Sequence, residues 1–137
     1  MAANKPWWAS LESSLYTKFK TKLNNSLSST FPNLKCTASP MTVSASKFPT
    51  VYFHAVDWVE SGNDLENTDT NAVLFTLQVD VITNTSLDDC KDVIYESINI
   101  MKSYRFSIIA MPVYSANNNL YTGVVRFRRY IGGGETI

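Results

Sequence analysis

The stretch from Val73 to Ile82 constrains this chain more than any other. Val73, Phe75, Leu77, Val79 and Val81 alternate with Leu74, Thr76, Gln78, Asp80 and Ile82. Successive side chains of a strand point to opposite faces, so one face here is wholly apolar and the other is mixed. Only a sheet covered on one side satisfies both halves of that pattern. The flanking segments must therefore supply a covering layer.

Two helices are predicted to supply it. Between Trp7 and Ser28, Leu11, Leu15, Phe19, Leu23 and Leu27 recur every four residues, with Trp8 extending the row. Such a row lies on one helical face and drifts slowly around it. Lys18, Lys20 and Lys22 fall off the row and can stay in water. Pro6 precedes the helix and Pro32 follows it, both positions that suit helix ends. The second helix begins after Asn84-Thr85-Ser86, with Ser86 and Asp89 spaced as in a capping box. Asp88, Asp89 and Asp92 suit its positive N-terminus. Leu87, Cys90, Ile94, Ile98 and Met101 give it a core-facing stripe, and Tyr104-Arg105 ends it.

The remaining strands follow from composition and turns. Lys35–Ala38 and Met41–Ser44 read as short extended pieces broken by Pro40. Thr50 to Trp58 is rich in β-branched and aromatic residues and reads as a strand. Residues 60–71 are polar and acidic and read as a long loop. Phe106–Met111 is a strand leading through Pro112 to a polar turn at Ser115–Asn119, where asparagine tolerates left-handed backbone angles. Leu120 to Ile131 is the last strand, with Tyr121, Val125, Phe127 and Ile131 on one face and Thr122, Val124, Arg126, Arg128 and Tyr130 on the other. The expected fold is α+β: a mixed, mainly antiparallel sheet of four to five strands with two helices packed on it, in the order α-β-β-β-α-β-β. Residues 1–132 are expected to form one domain, with 133–137 a flexible C-terminal tail beginning in Gly132-Gly133-Gly134.

Composition narrows the class. The 137 residues suit one domain of about 100–200 residues, and 45% hydrophobic residues can build one core. No apolar run reaches the roughly 18 residues of a membrane helix, and the N-terminus lacks a secretory-type apolar stretch. Cys36 and Cys90 make no metal-ligand spacing, so reduced thiols in an intracellular protein are the plain reading. The net charge is zero, but it is segregated along the chain. Residues 1–50 hold six lysines against Glu12; residues 51–100 hold ten acids against Lys91; residues 101–137 hold five bases against Glu135. Opposite patches on a small body favour association with a copy of itself or with a partner, unless the blocks neutralise one another within the monomer. The overall balance argues against a dedicated nucleic-acid binder.

Catalytic signatures are absent from the sequence. His54, the single histidine, lies inside an apolar strand and reads as a satisfied core or edge residue. No metal or cofactor site is indicated, and the acids Asp89, Asp92 and Glu96 read as a solvated helix face. Arg126 and Arg128 share one strand face and could line a channel, grip phosphate or pair with Asp80 on a neighbouring strand. Trp7 and Trp8 suit one core contact and one interface anchor.

Three segments carry a resemblance. Lys47-Phe48-Pro49-Thr50-Val51-Tyr52-Phe53-His54 followed by Gly62-Asn63-Asp64-Leu65-Glu66 resembles the tail-terminator (tail-completion) proteins of long-tailed bacteriophages. So do Asp80-Val81-Ile82-Thr83-Asn84-Thr85-Ser86 before a helix and the ending Val125-Arg126-Phe127-Arg128-Arg129-Tyr130-Ile131-Gly132. The resemblance covers about residues 7–132 and rests on motifs that are not catalytic fingerprints. It implies a structural virion protein, assembled in the host cytoplasm, that forms a ring, typically a hexamer, at the head-tail junction. Such a ring caps the tail tube, stops its elongation and joins the tail to the head-side connector or stopper protein. DNA passes through its lumen without sequence-specific binding, and no membrane or cofactor is involved.

A ring needs two unlike, complementary patches per subunit. The candidates for subunit or tube contacts are Trp7, Trp8, Lys18 and Lys22 on the first helix, and Asp57, Trp58, Glu60, Asp64 and Glu66 in the acidic segment. Arg126 and Arg128 are the candidates for the lumen. The alternatives are another neck protein, a head-closure or stopper subunit, and a small ligand-binding or hydrolytic domain.

Overall fold

The computed structural model describes residues 6–38, 48–63 and 70–133. A 3-10 turn, Trp7–Ser10, leads into helix α1, Leu11–Leu27. The Ala9 N–H donates to the Pro6 carbonyl at 3.0 Å, the i to i+3 bond of the tighter helix. The expected helix thus begins one turn later than Trp7. Leu11, Leu15, Phe19 and Leu23 are buried, so the four-residue row is the core face. Leu27 is only half-buried. A spacing of four overshoots the ~3.6-residue turn and has rotated off the contact by then.

Strand β1, Lys35–Thr37, is the described part of the two extended pieces expected before Phe48; Met41–Ser44 lies outside the described residues. Strand β2 is Thr50–Asn63 and β3 is Thr70–Thr83. This corrects the expected loop over residues 60–71 at its two ends: residues 60–63 and 70–71 are strand, and residues 64–69 lie outside the described residues. Glu60 stands opposite Val73 and Gly62 opposite Ala72, so pairing with β3 holds the polar segment extended. Its composition misleads because a strand at a sheet margin can carry polar side chains as long as its backbone is paired.

Helix α2, Leu87–Ser103, is capped by Ser86, whose side chain accepts from the Asp89 N–H at 3.1 Å. Its buried residues are Cys90, Val93, Ile94, Ser97, Ile100 and Met101, with Leu87 and Ile98 at the margins of the stripe. The buried Ser97 hydroxyl is satisfied by donating to the Val93 carbonyl at 2.8 Å. Strands β4, Ser107–Asn117, and β5, Leu120–Gly132, form a hairpin. Its turn is Asn118-Asn119, with φ of 52° and 63°. Both central residues are left-handed, as a two-residue hairpin twist demands. The turn is therefore tighter than the polar run Ser115–Asn119 suggests.

The sheet order is β1-β2-β3-β5-β4, with β1 parallel to β2 and every other pair antiparallel. The fold is α+β, two helices with a five-stranded, mixed and mostly antiparallel sheet in the order α-β-β-β-α-β-β, as the sequence predicts. Both helices pack on the apolar face of the sheet. Phe19 meets Phe53 with ring centroids 4.9 Å apart, and Phe75 lies between Trp58 at 4.0 Å and Phe106 at 6.2 Å. Over α2 the sheet comes close enough that a Cβ on Gly123 would lie 3.0 Å from Ile94 Cγ1 and 3.1 Å from Cys90 Sγ. Glycine at this point sets how closely the helix can approach.

Candidate functional site

The alternation that builds the core also builds a second sheet face, and neither helix packs on it. It presents Tyr52 and His54 from β2, Leu74, Thr76, Gln78 and Asp80 from β3, and Val124, Arg126, Arg128 and Tyr130 from β5. Tyr130 is 61% exposed there. Val56 and Val59 on β2 and Ile109, Met111 and Val113 on β4 are exposed toward the two sides of the sheet, with Met111 at 70%. These large apolar side chains in water, beside polar groups, make the two sides of the sheet the candidate contact surfaces.

A polar chain crosses the centre of this face. Arg126 Nε donates to Gln78 Oε1 at 2.7 Å, and Gln78 Nε2 donates to Asp80 Oδ1 at 2.7 Å. Asp80 Oδ2 lies 3.6 Å from His54 Nε2. His54 stacks on Tyr52, with centroids 4.1 Å apart and planes 11° from parallel. The expected pairing of an arginine with Asp80 is therefore indirect, with Gln78 between the two charges. His54 is not the satisfied histidine that its apolar strand suggested. Its Nε2 is buried and has no hydrogen-bond partner among the described residues, on the face away from the core.

One cross-strand row holds two of the residues singled out in the sequence. Asp57 pairs with Thr76, Thr76 with Arg128, and Arg128 with Ser107. The ladder makes an irregular step between Ala55 and Asp57, leaving Val56 as the extra residue. A bulge of this kind reverses the in-out alternation that follows it. Trp58 consequently turns into the core against Phe75, while Asp57 joins the uncovered face. Asp57 and Arg128 are both exposed, and among the described residues neither has an ion-pair partner. Two strand spacings, about 10 Å, separate their backbones.

At the β4 side of the row, Arg105, Arg128 and Arg129 converge on a cavity of about 540 Å³ that Ser107 and Tyr130 also line. Arg129 is buried on the helix side and donates from Nη1 to the Tyr104 carbonyl at 3.0 Å. Arg105 has a φ of 66°, which swings the chain out of α2 and into β4. At the opposite side, β1 covers β2 only from Thr50 to Tyr52, and Glu12 of α1 accepts from the Ala55 N–H at 3.2 Å.

The other predicted contact residues are dispersed. Trp8 packs on Trp58 with centroids 6.2 Å apart, and Trp7 is half-buried against the same core. The two thus serve the fold jointly, although both keep part of their surface in water. Lys18 is exposed on α1. Lys22 is held between helices: its Nζ donates to Ser103 Oγ at 3.2 Å and lies 4.3 Å from the centre of the Tyr104 ring. Glu60 is exposed near Trp8 and Trp58, while Asp64 and Glu66 lie outside the described residues. Sequence reasoning passed over Arg105 and Gln78. Gln78 stood on the polar side of the clearest alternation, whereas nothing local connects Arg105 to Arg128.

Neither thiol is poised for chemistry. Burial pushes Cys36 up to about 12 and Cys90 up to about 11. Burial also pushes Tyr114 up to about 12, helped by the neighbouring Tyr95. Among the described residues no group of three or more His, Cys, Asp or Glu side chains is placed to hold a metal, and no helix is long and apolar enough to cross a membrane. No protein-family model matches the chain, and no curated protein matches it significantly.

Proposed function

We propose that this chain is a structural subunit of the tail-terminator type. In this reading it closes into a ring at the head-tail junction of a long-tailed phage particle, caps the tail tube and receives the head-side connector. It works by binding, and DNA passes through its centre without sequence-specific contacts. The sheet face on which neither helix packs carries this reading: apolar side chains stand in water at both of its sides, and an acid and a base without ion-pair partners among the described residues lie on one row. A subunit that meets unlike neighbours on its two sides needs such an asymmetric surface. The motifs at residues 47–54, 80–86 and 125–132 point the same way. Arg126 and Arg128 both stand on the uncovered face, and Arg126 suits a lumen that DNA traverses.

Electron microscopy of particles lacking the protein tests the proposal. Filled heads beside unattached tails of abnormal length are expected. Normal-length tails with heads that leak DNA would instead assign a head-closure or stopper role. One observation favours a small ligand-binding or hydrolytic domain, the close approach of His54 Nε2 to Asp80. A measurable turnover lost in His54→Gln, with the fold intact, would replace the structural reading with that one.

A further inference from the structure

We propose that the β4 edge of one copy docks along the Val56–Glu60 stretch of β2 of a second copy, with Arg128 and Arg105 meeting the neighbour's Asp57. This deepens the ring reading above and rests on it. Four observations support the contact.

Both edges are open among the described residues. Beyond Ala55 no described strand flanks β2 on its outer side, and β5 is the one described strand that pairs with β4. Their chemistry is complementary. Val56 and Val59 on one edge answer Ile109 and Met111 on the other, and Asp57 answers the arginines around the β4 cavity. Their directions agree, because three successive antiparallel pairings make β4 run opposite to β2. A neighbour placed beside β4 therefore continues the antiparallel order of the sheet.

The fourth observation is the level of the charges. Asp57, Thr76, Arg128 and Ser107 occupy one row across the sheet. The acid of one copy reaches the arginines of the next with no slip along the strands. With the strands along the ring axis, that is rotation without translation, the condition for a closed ring rather than a helix. Pro112 lies in β4, and the β4 ladder has irregular steps on either side of Ala110. Such features guard an edge against continuous backbone pairing. The contact is accordingly made by side chains.

The test uses charge reversal in the full chain. Asp57→Arg makes both edges of a copy basic, and Arg105→Glu combined with Arg128→Glu makes both acidic. Each variant alone is expected to stay dissociated in sedimentation velocity at low salt. An equimolar mixture is expected to associate about tenfold more tightly or better, since every contact then joins unlike charges. A mixture that associates no better than its components overturns the contact, as does either variant associating like the unaltered chain. If a reversed variant fails to fold by circular dichroism, Asp57→Asn and Arg128→Gln replace the pair. Unchanged association in those two also overturns it. The ring reading itself stands or falls on the particle phenotype, so a protein found at the tail end with this contact refuted would close its ring through another surface.

Discussion

Gln78 stands between Arg126 and Asp80, accepting from the first and donating to the second at 2.7 Å each. An amide can do this because it carries an acceptor and a donor on one planar group. The arrangement ties the Arg126 side chain to β3 through its Nε alone. Replacing Gln78 by Leu removes both bonds while keeping much of the volume. The expected cost is about 1–3 kcal/mol, at roughly 0.5–1.5 kcal/mol per bond. Urea unfolding of the variant against the unaltered chain measures it.

Gly123 sets the spacing between sheet and helix. A side chain there would press on Ile94, Cys90 and the Tyr114 ring, all within 3.2 Å of the added Cβ. Gly123→Val is therefore expected to destabilise by about 1–3 kcal/mol through overpacking, despite the better strand propensity of valine. A rise in melting temperature would contradict this.

Ser86 satisfies one of the free N–H groups at the start of α2. Ser86→Ala should cost about 1 kcal/mol, and Ser86→Asp should retain most of the stability. Chemical denaturation of the two variants separates the capping bond from a simple effect of side-chain size.

The two buried thiols make stability fall in alkali. Their folded values of about 12 for Cys36 and about 11 for Cys90 lie above the ordinary 9.0. The unfolded chain therefore releases its thiol protons first as the pH rises. The stabilising contribution is complete below pH 9 and is lost as the pH climbs through the folded values. Cys90→Ala should flatten the decline above pH 9, at some cost in packing. A thiol-directed reagent at neutral pH should modify the native protein slowly and the unfolded protein fast.

Trp58 is half-buried and packs against the core, on Phe75 at 4.0 Å and Trp8 at 6.2 Å. Trp58→Ala should cost about 2–3 kcal/mol, below the range of fully buried aromatic truncations. The neighbouring Asp57→Asn should leave the melting temperature nearly unchanged, because Asp57 is exposed. Comparing the two melts distinguishes a core residue from a surface residue one position away.

Much of the fold was legible in local pattern. The alternation over Val73–Ile82, the rows on both helices and the asparagine turn each correspond to an observed element. Their cause is local, a period of two or of about 3.6 set by backbone geometry. The loop expected over residues 60–71 gives way to strand at 60–63 and 70–71, because pairing between β2 and β3 outweighs a polar composition there. The candidate contact residues were less legible. Lys22 is taken up between the helices and Trp8 rests on Trp58, relations that no spacing along the chain encodes.

The sequence by itself determined which strands have a face to bury, which helices cover it, and that charge is sorted along the chain. The tertiary structure alone decided where that charge stands. The extra residue at Val56 turns Trp58 inward and Asp57 outward, and the pairing of β3 with β5 then brings Asp57 onto the row of Arg128. The physical reason is that periodicity fixes the side of a residue only within an uninterrupted element. Bulges and strand register arise from contacts between distant segments, and these contacts set the surface on which the proposed assembly depends.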